Sequence, residues 1–277
     1  MQRRLMLGSL AALAVGWSAA DDDTIWLEYL EWFRKGTGPM SDARSAYREH
    51  LLRAGLSVQA VTERIGIVER LMVERRDQWQ AAFFDRTYRS ETPRFNTQPN
   101  ALLVEIARTL KPGLALDIHM GQGRNAAYLA RQGWQVTGFD FSKEGITAAR
   151  EGARRAGVSL SAIVARHEDF EFGVERWDLI VMSYTWVPLE AHWIERITRS
   201  LKPGGVIVFE HLMEQSGGEN AAGWLPRPNE LLRIFGGLRI LRYEDVSARA
   251  DWSWRPERIA RLVAENSLAP EDAKQRE

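Results

Sequence analysis

In the first third of the chain, apolar residues recur at helical spacing. In "TIWLEYLEWFRKGTGPM" they fall at Trp26, Tyr29, Leu30 and Phe33, which predicts an amphipathic helix stopped by the Gly36–Pro39 cluster. "SDARSAYREHLLRAG" predicts a second helix, with Ser41 as N-cap and Gly55 at its C-terminal end. A third and longer one is expected in "LSVQAVTERIGIVERLMVERRDQW", with Val58, Val61, Ile65, Val68 and Met72 on one face. These segments read as a small helical cap over residues 21–94 and carry no chemical motif.

From about residue 97 the period changes. A helix in "QPNALLVEIARTL" leads to the strand "LALDIH", and helices then alternate with the strands "WQVTGFD", "LSAIVAR", "WDLIVMSY" and "GGVIVFEHL". Two later strands are expected in "LRILRYEDV" and "RIARLVAE". Helices and strands alternating at this spacing predict an α/β domain, with a doubly wound, mostly parallel seven-stranded sheet over residues 95–265. "LKPG" occurs at 110–113 and again at 201–204, each time read as the end of a helix just before a strand. Residues 266–277 read as a frayed polar tail.

Residues 1–20 do not follow either pattern. "MQRR" is positive, Leu5 to Trp17 is apolar, and "SAA" precedes an acidic run, the three-part layout of a secretory signal cut after Ala20. The apolar run is shorter than the ~20 residues needed to span a bilayer, so export without a stable membrane span is expected. The 277 residues carry 37 basic and 37 acidic side chains, which removes the cationic excess typical of a nucleic-acid binder. With no cysteine, disulfides, thiolate metal sites and cysteine nucleophiles are excluded, and no metal site is expected.

The candidate chemistry lies in "LDIHMGQGRNAAYLA". Gly121 and Gly123 let backbone approach a ligand closely, and the helix that follows offers free N–H groups. Asp140, ending the second strand, has two oxygens suited to a ribose diol. The turn also fits G-x-G-x-x-A, so a nicotinamide-dependent oxidoreductase remains open at this point. Asp117 separates the two: an acid there suits a ligand bearing an ammonium or sulfonium better than a pyrophosphate.

Together with "FNTQPN", "GWQVTGFDFS" and "LKPGG", this stretch resembles the class I S-adenosylmethionine-dependent methyltransferases, in particular small-molecule enzymes of the tellurite-resistance type. The resemblance implies a Rossmann-like fold and S-adenosyl-L-methionine as cofactor. It implies Asp117 at the methionine amine, Gly121 and Gly123 beneath the methionine and ribose, Asp140 at the ribose, and Asp169 with Phe170 at the adenine. Phe141 and Ser183 join the cofactor set, and Arg124 and Asn125 either meet the methionine carboxylate or cap the helix. His119 departs from the pattern, since glycine is usual at that position. A negative φ there suits a histidine aimed into the acceptor pocket, whereas a positive φ weakens cofactor binding.

Methyl transfer needs a base only for a protonated acceptor, and His211 and Tyr184 are the candidates at the correct sheet edge. "SYTWVPL" lacks the Asn/Asp-Pro-Pro-aromatic element of nucleic-acid amino methyltransferases, so the resemblance implies a small-molecule substrate and no nucleic acid. Tyr184, Trp186, Trp193, Trp224, Trp252 and Trp254 are expected to pack in the core or to form an aromatic pocket. An exported binding protein that keeps the fold without the catalysis is the other class of function left open.

Overall fold

The computed structural model describes residues 21–37, 40–89, 95–214, 223–251 and 256–267. The expected leader and the Trp252 and Trp254 pair lie outside these residues. The chain divides into two compact units, residues 1–79 and 80–277. Among the described residues no helix is long and apolar enough to cross a membrane.

The first unit holds α1 (Asp22–Lys35), α2 (Ala43–Arg53) and α3 (Val58–Glu74). All four apolar positions expected to face inward on α1 are buried. Tyr29 meets Tyr47 edge-on at 4.8 Å, Phe33 meets Trp79 at 4.5 Å, and the Trp26 indole N–H donates to Gln78 at 2.6 Å. The start of α2 differs from expectation: Ser41 lies in a short 3-10 turn and Asp42 occupies the cap position. On α3 the buried face is Val61, Arg64, Val68 and Leu71, while Val58 is exposed. The long third helix is in fact two. Arg75 leaves helical geometry (φ −114°, ψ 40°), and α4 (Arg76–Arg89) begins after it. The division into units falls within α4.

The second unit contains the sheet. Its elements after α4 are α5 (Ala101–Ala107), β1 (Leu114–Ile118), α6 (Arg124–Arg131), β2 (Gln135–Asp140), α7 (Lys143–Arg155) and β3 (Ser161–Val164). They continue with β4 (Trp177–Ser183), α8 (Ala191–Arg199), β5 (Leu201–Leu212), α9 (Glu230–Ile234), β6 (Arg239–Arg249) and β7 (Pro256–Glu265). The strand order is β3-β2-β1-β4-β5-β7-β6, with all pairs parallel except those of β7, which is antiparallel to both β5 and β6. All seven expected strands are present. A dinucleotide-binding sheet runs 3-2-1-4-5-6 in parallel, so the inserted antiparallel β7 departs from the oxidoreductase reading.

Helices cover both faces, which is why β1 and β4 read as nearly unbroken apolar runs. One face packs Leu116, Ile118, Phe139 and Ile180 against Ile194 and Ile197 of α8. The other packs Ala115, Leu179 and Val208 against Leu103, Leu129 and Ile146 of α5, α6 and α7. Caps set the helix starts: Asn100 and Ser142 accept from the N–H groups of Leu103 and Gly145, both at 3.0 Å.

The second "LKPG" does not lie between helix and strand. It forms the first residues of β5, where pairing with β4 skips from Trp177↔Leu201 to Leu179↔Val206. A Cβ on Gly205 would come 2.8 Å from the Trp177 carbonyl oxygen, so only glycine fits this bulge. Asn266 binds the bulge rather than fraying: it exchanges backbone hydrogen bonds with Gly204 (2.7 Å) and Gly205 (2.9 Å), and its side chain donates to the Leu201 carbonyl.

Candidate active site

In a sheet of this kind the strand order reverses between β1 and β4, and ligands collect at the carboxyl ends there. A cavity of about 380 Å³ opens at that place. Its floor comes from the chain leaving β1, β2 and β4: Asp117, His119, Gly121, Asp140, Phe141 and Ser183. Its opposite wall is α4 and the segment after it, with Phe83, Phe84, Tyr88, Phe95 and Asn96.

The glycine turn has the conformation expected of it. Gly121 (φ +51°) and Gly123 (φ +76°) are left-handed, and the latter leads into α6. Asp140 braces the turn, accepting from the Gly121 N–H at 2.9 Å through Oδ2 and from the Ser142 N–H at 2.8 Å through Oδ1. Each oxygen keeps a further lone pair. Burial pushes the Asp140 carboxyl up to about 6, although the two N–H bonds oppose that shift.

Asp117 is 2% exposed, and its Oδ2 has no hydrogen-bond partner among the described residues. Burial raises its carboxyl from 3.8 to about 7, against the opposing pull of Arg124 and an N–H bond from Ala126. A buried carboxylate left unpaired is costly, and a cation beside it would relieve that cost. The Ser183 hydroxyl, also in the cavity wall, is likewise buried without a partner.

His119 takes φ +51° and is 9% exposed. Its Nδ1 accepts the Trp186 N–H at 2.9 Å, which places the ring proton on Nε2. Burial lowers its basicity, with His167 and Arg166 adding to the effect, so the ring is neutral. The positive φ is the case expected to weaken cofactor binding. The left-handed backbone costs on the order of 1–2 kcal/mol for a residue with a Cβ, and the bond from Trp186 offsets part of it.

Several residues singled out by sequence are placed differently. Asp169 is exposed and Phe170 stacks on Phe139 at 4.2 Å inside the core; neither lines the cavity, unlike Asp117, Gly121, Asp140, Phe141 and Ser183 of the expected cofactor set. Arg124 pairs with Asp251 and donates to the Gln98 carbonyl at 2.8 Å. Asn125 accepts the Asn100 N–H at 2.8 Å, so both residues have structural partners. His211 does not line the cavity. Burial holds its imidazole down to about 4, and its Nδ1 lies 3.0 Å from the Leu212 carbonyl. Tyr184 lines the cavity, but its hydroxyl donates to Glu210 at 2.7 Å, and burial with the Glu210 charge pushes the phenol far up. It therefore cannot accept a proton from a substrate at neutral pH. Trp186 lines the cavity with Trp224 against it at 4.4 Å, whereas Trp193 packs on His167.

Sequence reasoning missed two groups. The first is the α4 wall, whose signal was the aromatic spacing in "AAFFDRTY" just before "FNTQPN". The second is a buried network centred on Glu210, 2% exposed, which accepts from Asn100 at 2.7 Å, Tyr184 at 2.7 Å and Arg261 at 2.6 Å. Its signal was a charged residue inside the apolar run "VIVFEH".

The sheet order, the glycine turn and the acids closing β1 and β2 define a class I methyltransferase fold. The family model described as a methyltransferase domain matches residues 115–205. The chain is 30% identical over 148 residues to the ubiquinone biosynthesis O-methyltransferase of Paramagnetospirillum magneticum, covering 48% of this chain and 59% of that protein. It is 32% identical over 104 residues to the ribosomal RNA small subunit methyltransferase C of Alcanivorax borkumensis, covering 35% and 31%. Haemophilus influenzae TehB, a probable S-adenosyl-L-methionine-dependent methyltransferase, is 26% identical over 100 residues, covering 36% and 35%. The crystal structure of that TehB superposes with a TM-score of 0.50 at 20% identity, covering 59% of this chain and 60% of that one. The matched stretches thus span between about a third and three fifths of these curated relatives. Residues 115–205 thus match a methyltransferase domain, set in a sheet with the class I strand order.

Proposed function

We propose that this protein transfers a methyl group from S-adenosylmethionine to a small-molecule acceptor held in the cavity at the end of the sheet. The observation that carries the reading is the buried Asp117 carboxyl, whose Oδ2 has no partner among the described residues, beside the left-handed turn of Gly121 and Gly123. The residues present fit the donor: Asp117 for its amine, the Gly121–Gly123 turn beneath it, and the spare lone pairs of Asp140 for the ribose. The bound donor supplies a methyl group on a sulfonium, a leaving group that needs no acid.

What remains for the chain is positioning, which by itself supplies up to roughly 7–11 kcal/mol in well-oriented reactions. Phe84, Phe141 and Trp186 meet edge-on at 5.5–5.6 Å and form an apolar wall that excludes water. Because the Tyr184 hydroxyl is engaged by Glu210, His211 lies outside the cavity and His119 carries its proton on the unpartnered Nε2, the acceptor suited to this site presents a ready lone pair. The names of the O-methyltransferase relatives and the zero formal charge favour a small molecule over a nucleic acid.

Calorimetry with S-adenosylhomocysteine tests this reading. Saturable binding by the full chain, lost in Asp140→Ala, is the expected result. A folded protein with no affinity points instead to the second reading, a binding protein that keeps the fold without the catalysis, which His119 at the usual glycine position favours. Export through residues 1–20 belongs to the same proposal and rests on the pattern of charge and apolar length. A reporter active only outside the cytoplasm, fused to residues 1–25, checks it; a silent reporter removes it.

A further inference from the structure

The polar groups of the floor leave one gap in chemistry. Asp140 as a carboxylate only accepts hydrogen bonds, whereas a vicinal diol presents two hydroxyls that each donate and accept. A hydroxyl from α4 lies over the glycine turn. A Cβ built on Gly121 would collide with the Tyr88 hydroxyl, and one on Gly145 would come within 3.1 Å of its ring. The ring therefore lies directly over the turn. Its hydroxyl interacts electrostatically with Asp140 first, and also with Arg124 and Asp117, yet has no hydrogen bond to any described residue. Burial keeps the phenol protonated, so it remains a donor at neutral pH.

The side chain is also firmly placed. Three residues earlier on α4, Asp85 accepts from the Ser142 hydroxyl at 2.8 Å and from the Glu144 N–H at 3.3 Å, and Arg89 pairs with Glu144 at 2.5 Å. These contacts pin α4 to the first turn of α7, next to the two N–H groups that brace Asp140. Phe84 and Phe95 hold the Tyr88 ring at 6.1 and 5.5 Å.

We propose that Tyr88 is a cofactor-contacting residue that shares the ribose with Asp140, its hydroxyl bonding the sugar edge that the carboxylate cannot serve. The inference rests on the functional reading above and adds a residue from outside the matched 115–205 segment. It makes α4 part of the binding site instead of an appendage to it.

The test is Tyr88→Phe in the full chain, titrated by calorimetry with S-adenosylhomocysteine and with 5′-methylthioadenosine, which keeps the ribose and lacks the amino-acid half. Affinity for both is expected to fall by about three- to tenfold, the range for one neutral hydrogen bond, with the denaturation midpoint unchanged. Wild-type affinity in the variant overturns the proposal. So does a loss confined to S-adenosylhomocysteine, which would put the hydroxyl at the amino acid. If the wild-type chain binds neither ligand, the functional reading itself fails, and this inference with it.

Discussion

Replacing Asp117 by asparagine should make the free protein more stable and the site useless. The carboxyl is lifted from 3.8 to about 7 by burial, so keeping it ionised above that pH opposes folding by about 4 kcal/mol, at ~1.4 kcal/mol per tenfold change in the ionisation constant. The folded chain holds this proton between pH ~4 and ~7 while the unfolded chain has lost it. Wild-type stability therefore declines as pH rises through that window and levels off above it. Asparagine does not ionise, but it leaves an amide donor at the buried, unpartnered Oδ2 position, which costs about 1–3 kcal/mol. The net gain at pH 8 is about 1–3 kcal/mol, or roughly 3–10 °C in Tm for a domain of this size. Near pH 4, where the wild-type carboxyl is protonated in both states, only the amide cost of about 1–3 kcal/mol remains and the variant is the less stable. Asp140 also titrates high, but it does so in both proteins and cancels in the difference. Affinity for S-adenosylhomocysteine, whose ammonium would lie beside Asp117, is expected to fall by about 10- to 100-fold. Urea denaturation of both proteins at pH 4.5, 6 and 8, with calorimetry at pH 8, measures all of this. A variant less stable than wild type at pH 8, or one with the same increment at every pH, refutes the argument.

Other positions give shorter tests. Glu210→Gln takes the buried carboxylate from Arg261, which keeps Glu244 at 3.2 Å, and a loss of about 1–3 kcal/mol in chemical denaturation is expected; a change within 0.5 kcal/mol, roughly the scatter of surface substitutions, would show that the network contributes little. At His119 the left-handed backbone makes alanine worse than glycine. His119→Ala should be about 1 kcal/mol less stable than His119→Gly by thermal melting, and equal melts would contradict the positive φ. Gly205→Ala forces a Cβ against two backbone carbonyls at 2.8 and 2.9 Å, so it should lower soluble yield or cost more than about 2 kcal/mol.

Seven strands and the helices between them were legible because period and punctuation agree along the second unit. The acids Asp117 and Asp140 were legible too, each ending a strand at the edge where ligands gather. What could not be read was direction. "HEDF" is placed correctly after β3, yet the turn sends Phe170 inward onto Phe139 and Asp169 out to solvent. His211 ends a strand at the same edge, but its ring turns to a backbone carbonyl. The break at Arg75 was hidden because polar and apolar residues continue helically across it, and with it the aromatic wall of α4 was taken for part of a featureless cap.

The position of β7 between β5 and β6 has a consequence for biosynthesis. Arg261 on that strand holds Glu210, which in turn fixes Asn100 and the cavity residue Tyr184. A nascent chain that has exposed everything up to β6 still lacks this brace, and β6 has no neighbour to pair with. Ligand capture should therefore begin only once the ribosome has delivered the hairpin's second arm, making translation itself the clock that sets when the pocket becomes usable.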